Sequence, residues 1–169
     1  MSEQRSAVVI VASTTASVDS AADATGPAIR AWLEERGFSV GMPVIVADGP
    51  PVGETLGAAL AERPAVVLTT GGTGIAPDDG TPEQTEPLLD VQLPGLIEEL
   101  RRLGAEHTPT AVLTRGLAGF SGDSFVMNLP GSPGGVRDGL AVLEPVLDHL
   151  LEQRRGSGNH GATGTRRGH

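Results

Sequence analysis

The chain has 169 residues, enough for one domain with a sizeable core. It has 21 acidic residues against 12 basic ones, a net charge of −9, and no cysteine, which excludes disulfides, thiol catalysis and cysteine-based metal sites. Every cation is an arginine, and only eight of them precede Gln153 while all 21 acids do, a balance of −13 that argues against a nucleic-acid partner, which needs a basic footprint.

The first segment, "SAVVIVAS" (residues 6–13), is β-branched and reads as a strand rather than a signal peptide. No apolar run approaches the roughly 18 residues of a membrane span, so the expectation is a soluble cytoplasmic protein with no membrane partner. "TGPAIRAWLEERGF" follows with helix punctuation: Thr25 as N-cap, Pro27 in the first turn, Gly37 as the stop. Ile29, Trp32 and Leu33 fall on one face of it. Val44, Ile45 and Val46 centre a second strand region that ends at Asp48. "PVGETLGAALAER" reads as a short helix with Leu56, Ala59 and Leu60 inward, and "AVVLTT" (65–70) as a third strand covered on both faces. A short helix is expected over about 82–90 and a second over "GLIEELRRLGAE". "TAVLTR" (110–115) and "SFVMNL" (124–129) read as further strands separated by the turn-like "GLAGFSGD". The last helix spans about 133–152, with Pro145 expected to kink or break it.

This alternation predicts an α/β sandwich around a largely parallel sheet. Residues 1–153 read as one domain. Residues 154–169, rich in Gly, Arg and His, read as a disordered tail.

The chemistry concentrates at "TTGGTGIAPDDGTPEQT" (69–85), beyond the end of the third strand, where open α/β sheets bind ligands. Gly71, Gly72 and Gly74 permit close approach of backbone to ligand, and successive N–H groups in such a turn make an anion nest. Thr81, as an N-cap, and Pro82 open a helix whose N-terminus adds to it. Neither the G-x-x-x-x-G-K-[ST] nor the G-x-G-x-x-G phosphate motif is present. Asp78 and Asp79 lie in this loop, where carboxylates repel phosphate unless a cation lies between. Asp48 with Asp79 would make a two-carboxylate Mg²⁺ site for a nucleotide; a cap or turn role is the alternative for each. A second Gly/Pro element, "NLPGSPGGVRDG" (128–139), offers Asn128, as a ligand contact or as a bond to loop backbone, and Ser132 as N-cap of the last helix.

Taken together, "TTGGTG", "D-x-TPE-x-T" from Asp79, "PTAVLTRGLAG", "NLPGSP", "D-x-T-GP" from Asp23 and "VIVAD" ending at Asp48 resemble the MoaB/Mog family of molybdenum cofactor biosynthesis proteins. The "ADGPPVGE" and "NLPGSPGGVRDGL" segments are most similar to its actinobacterial Mog branch. The resemblance implies a three-layer α/β/α sandwich, a homotrimer, and molybdopterin adenylyltransferase activity: the terminal phosphate of molybdopterin attacks the α-phosphate of Mg-ATP and pyrophosphate leaves. It implies ATP and molybdopterin as substrates, Mg²⁺ as cofactor and a molybdenum-insertion enzyme as partner. The family's acidic catalytic and metal-binding positions fall on Asp48 and Asp79, its phosphate loop on Gly71, Gly72, Thr73 and Gly74, and its pterin-side loop on Asn128, Pro130, Gly131 and Ser132. Arg115 and Ser132 are then expected to contact the pterin or its phosphate, while His107 and His149 are left as surface or helix residues. The chain departs from the pattern in having Asp78 where relatives carry a basic residue, and Thr114 in "LTR" where they carry serine. A non-catalytic molybdopterin-binding or scaffolding protein of the MoaB type, and a hydrolase of nucleotide diphosphates, are the alternatives.

Overall fold

The computed structural model describes residues 4–15 and 24–156. Asp23 and all but the first three residues of the expected tail lie outside the described residues.

The chain folds as a mostly parallel sheet between two layers of helix. Strands β1 (Ser6–Ala12), β2 (Ser39–Val40), β3 (Val44–Val46), β4 (Val66–Thr70), β5 (Val91–Gln92), β6 (Ala118–Ser121) and β7 (Ser124–Leu129) form one sheet of order β2-β1-β4-β7-β6-β5, with β3 also on β1. β1, β2, β3, β4 and β7 are parallel where they pair, while β6 runs antiparallel to β7 and β5 to β6. Thr69 is in register with both Ile10 of β1 and Asn128 of β7, so the carboxyl ends of the central strands finish together.

Alternation along the strands splits the core in two. Val9, Val66, Leu68, Phe125 and Met127 face helices α1 (Gly26–Glu35), α4 (Pro94–Ala105), α5 (Pro133–Leu143) and α6 (Leu147–Arg154). Ile10, Val67 and Val126 face α2 (Pro50–Ala61), where Leu56 is buried, and the segment after α3 (Thr81–Thr85). Both faces of β4 are thus covered, which is why its sequence is apolar without alternation. In α1, Ile29 and Leu33 point inward and Trp32 lies half-buried beneath the Arg36 guanidinium, 3.8 Å from its ring centre. In α2 the buried face is Val52 and Leu56, with Leu60 and Ala59 only half-buried. The final helix breaks around Pro145 into α5 and α6, because proline lacks the N–H the helix needs. Among the described residues no helix is long and apolar enough to cross a membrane.

Two segments differ from expectation. Residues 110–115 are not a strand: Pro109–Leu113 form a 3₁₀ turn packed on α4, with Val112 54% and Leu113 45% exposed. The "turn-like" segment instead contains β6, whose Ala-Gly-Phe-Ser sequence has too little side chain to show an apolar alternation. The helix expected over 82–90 is α3 followed by a 3₁₀ turn, Glu86–Leu88, since Pro87 cannot donate to a continuing helix.

Candidate functional site

β4 ends at Thr70 and the chain turns through Gly71 and Gly72 at φ 92° and 68°, a left-handed region costly for other residues. The Gly71 N–H still donates to the Leu129 carbonyl, and the Thr70 hydroxyl donates to the Pro130 carbonyl. The two loops at the sheet's carboxyl end, after β4 and after β7, are therefore tied together. Gly131 packs directly on Gly71.

Arg115 holds the glycine loop from beneath. Its backbone N–H donates to the Thr73 carbonyl, its Nε to the Gly74 carbonyl, and one Nη to the Asp79 carbonyl. The other Nη donates to Glu83 Oε2 at 3.0 Å and holds that carboxyl below its usual range. Thr114 donates its hydroxyl to that of Thr73, and its carbonyl accepts from Arg101. The residue that sequence reading sets against the pterin thus has its guanidinium committed to loop carbonyls and a carboxylate.

Asn128 is equally committed. It is fully buried; its Oδ1 accepts from the Leu117 N–H, and its amide donates to the hydroxyls of Thr69 and Thr85. It joins β7, β4, α3 and the chain entering β6.

The carboxylates lie above this scaffold. Asp79 Oδ2 accepts from the Ala76 N–H at 3.0 Å and lies against Gly74. Asp48, just past β3, is half-buried, and among the described residues its Oδ1 has no hydrogen-bond partner. Burial, then the neighbouring charges of Asp79 and Asp78, push the Asp48 carboxyl above its ordinary value, against hydrogen bonds from Thr14. Asp48 and Asp79 therefore share one electrostatic field, rich in negative charge. Among the described residues no group of three or more His, Asp or Glu gathers into a metal cluster.

A cleft of about 700 Å³ opens beside Asp79, lined by Gly72, Thr73, Gly74, Pro130, Gly131 and Ser132 and walled by His107 and Arg137. Ser132 is the N-cap of α5, its hydroxyl accepting from the Gly135 N–H at 3.0 Å. Arg137 reaches back to 3.6 Å from where a side chain on Gly134 would begin. A larger cavity of about 1410 Å³, around Arg36, Arg63 and Arg155, lies at the other pole; those arginines follow helix C-termini, where a cation suits the dipole.

The expected site residues thus gather in one place, in two layers. Gly72, Thr73, Gly74, Asp79, Pro130, Gly131 and Ser132 face the cleft, Asp48 stands beside Gly72, and Gly71, Arg115 and Asn128 support them. Sequence reading left His107 as a surface or helix residue, weighed Arg137 as an anion contact or a partner of Glu or Asp, and took Thr81 as an N-cap. Gly80 holds the cap position instead, and Thr81 is the first helical residue.

Residues 8–149 match the family described as "Probable molybdopterin binding domain". The chain belongs to this family. It is 38% identical over 156 residues to a molybdenum cofactor biosynthesis bifunctional protein of Synechococcus elongatus, covering 92% of this chain and 49% of that one. It is 35% identical over 126 residues to a molybdopterin adenylyltransferase of Haemophilus influenzae, covering 72% of this chain and 62% of the relative. The chain spans about half the length of the bifunctional relatives it matches, 49% for each of two. Among solved structures, the molybdopterin biosynthesis Mog protein of Mycobacterium ulcerans superimposes with a TM-score of 0.87 at 50% identity, covering 92% of this chain and 99% of that one. Membership in this family places the chain in molybdenum cofactor biosynthesis, and it agrees with the observed α/β fold.

Proposed function

We propose that this protein is a molybdopterin adenylyltransferase that moves AMP from Mg-ATP to the phosphate of molybdopterin. The observation that supports this most is Asp48 and Asp79 sharing one field beside a glycine loop whose carbonyls are held by Thr81 and Arg115 and which lines the cleft. Nucleotidyl transfer joins two anions. It needs charge neutralisation, backbone donors and orientation, and little covalent work from the protein.

The residues fit a divalent cation. Among the described residues Asp48 has a buried carboxylate oxygen with no partner, the charges of Asp79 and Asp78 lie close by, and a carboxylate is a hard oxygen donor. Asp48 and Asp79 would hold Mg²⁺, which, when bound, neutralises the triphosphate. Gly72, Thr73 and Gly74 would orient the phosphates through their N–H groups. The pterin would lie towards Pro130, Gly131 and Ser132, with Asn128 and Arg115 positioning the loops. A molybdopterin phosphate oxygen then bonds to the α-phosphorus of ATP, the bond to the pyrophosphate oxygen breaks, and pyrophosphate leaves with that electron pair. No side chain need take a proton.

This reading includes the homotrimer, the cytoplasmic setting and a molybdenum-insertion enzyme as recipient of the product. It takes residues 1–153 as the molybdopterin-binding domain and 154–169 as a tail outside it. Incubation with molybdopterin and Mg-ATP, followed by mass spectrometry, tests it. Adenylylated molybdopterin is expected from the wild type and not from Asp48→Asn or Asp79→Asn. Bound but unmodified molybdopterin would overturn the transferase in favour of a carrier.

A further inference from the structure

Thr81 opens α3 directly below the glycine loop. Its backbone is well placed: the N–H donates to the Gly72 carbonyl, and its carbonyl accepts from the Thr85 hydroxyl at 2.7 Å. Its side chain is fully buried, yet among the described residues the hydroxyl has no partner. A helical threonine ordinarily turns its hydroxyl back to a carbonyl one turn earlier, as Thr85 does to Thr81. At the first helical position Thr81 has no such carbonyl to use.

Among the described residues one other buried side-chain oxygen is without a partner, Asp48 Oδ1. The two face the same point. A side chain built on Gly72 would run into Thr81 Oγ1 and begin 2.8 Å from Asp48 Oδ1. They arrive from separate elements, Asp48 from just past β3 and Thr81 from α3, and converge on the side of Gly72 where a side chain would stand. Buried polar atoms are almost always satisfied. Two oxygens converging on one glycine, one of them on a carboxylate, suit a positively charged or hydrogen-bonding guest.

We propose that Thr81 is a further positioning residue of the site: its hydroxyl and Asp48 Oδ1 together form a two-oxygen seat beneath Gly72 for a hard divalent cation. Asp48 supplies the charge. Thr81 supplies a neutral lone pair, and its proton is left to point at a phosphate oxygen. Hard cations take oxygen donors, and Mg²⁺ characteristically uses one or two carboxylates, with water and substrate completing the shell. This proposal rests on the reading of the site given above.

Titration with Mn²⁺ alone, followed by electron paramagnetic resonance, tests it on the wild type, Thr81→Val, Thr81→Ser and Asp48→Asn, with urea denaturation of each metal-free protein. Thr81→Val should weaken Mn²⁺ binding by about tenfold or more, at least the loss found for residues that merely orient metal ligands. Thr81→Ser should stay within about threefold of wild type, and Asp48→Asn should lose the site. Metal-free Thr81→Val should be as stable as wild type or more so, because it removes an unsatisfied hydroxyl. If Thr81→Val binds Mn²⁺ like the wild type while Asp48→Asn does not, the role of Thr81 is overturned and the carboxylate site stands. Equal weakening in Thr81→Val and Thr81→Ser, or a clear loss of metal-free stability in Thr81→Val, would make the hydroxyl structural and also overturn it. A wild type without saturable Mn²⁺ binding would overturn both this proposal and the metal site beneath it.

Discussion

Replacing Asn128 with alanine separates a supporting role from direct ligand contact. Asn128 is 0% exposed and makes three hydrogen bonds, of 2.9, 2.9 and 3.1 Å, to Leu117, Thr69 and Thr85. Alanine leaves the Leu117 N–H and the fully buried Thr69 hydroxyl without these partners, whereas Thr85 keeps its bond to Thr81. Each group newly left unsatisfied costs about 1–3 kcal/mol, so losing the partners of these two should destabilise by roughly 2–6 kcal/mol. For a domain of this size that is a fall in Tm on the order of 4–24 °C, at about 2–4 °C per kcal/mol. Thermal and urea denaturation give the stability change, and calorimetry gives Mg-ATP affinity. Affinity should weaken only as far as the loop is loosened. A variant with wild-type stability that no longer binds molybdopterin or nucleotide would refute the reasoning, because the amide would then be spending its bonds on ligand.

Gly72→Ala places a methyl group at φ 68° and into the gap between Thr81 and Asp48. The backbone alone should cost about 1–2 kcal/mol, and Mn²⁺ binding should fall much more than stability does. Arg115→Lys keeps the charge but cannot bond the Gly74 and Asp79 carbonyls and Glu83 at once; hydrogen exchange at the amides of 72–80 should accelerate and the KM for ATP should rise. Asp48 titrates above its ordinary value of about 3.9, so between that value and its raised one the folded protein binds more protons than the unfolded chain. Its contribution to metal-free stability therefore falls as pH rises through that window, and Asp48→Asn should abolish that slope in urea midpoints measured against pH. Glu83 is shifted the other way by Arg115, so its pairing contributes above the ordinary glutamate value and is lost as pH falls through the lowered one. In Glu83→Gln that acid limb should flatten slightly, since the pair is exposed.

Much of this was legible in the sequence because it depends on local rules. The apolar run of β4, the glycines after it and the Ser132-Pro133 start of α5 each follow from backbone chemistry a few residues long. So does the break at Pro145. β6 was hidden because its pairing with β7 and β5, rather than its own side chains, makes it a strand. The 3₁₀ turn at 109–113 was misread for the converse reason: "TAVL" has strand composition but no neighbouring strand to bond. At the site, residue identity was readable and direction was not. Arg115 and Asn128 have the right chemistry to touch a ligand, yet contacts 36 and 59 residues distant turn their polar groups onto the scaffold. Thr81 has a hydroxyl suited to an N-cap, and the cap falls one residue earlier, on Gly80. That one-residue offset sends its oxygen into the site.

The most direct test of the account is pyrophosphate release measured in Mg-ATP with molybdopterin titrated in. Pyrophosphate is expected only when molybdopterin is present, one for one with adenylylated product, and is expected to be lost in Asp79→Asn. Stoichiometric uptake of molybdopterin with no pyrophosphate would contradict it and make the protein a carrier. Pyrophosphate or AMP released without molybdopterin would contradict it too and make the protein a hydrolase.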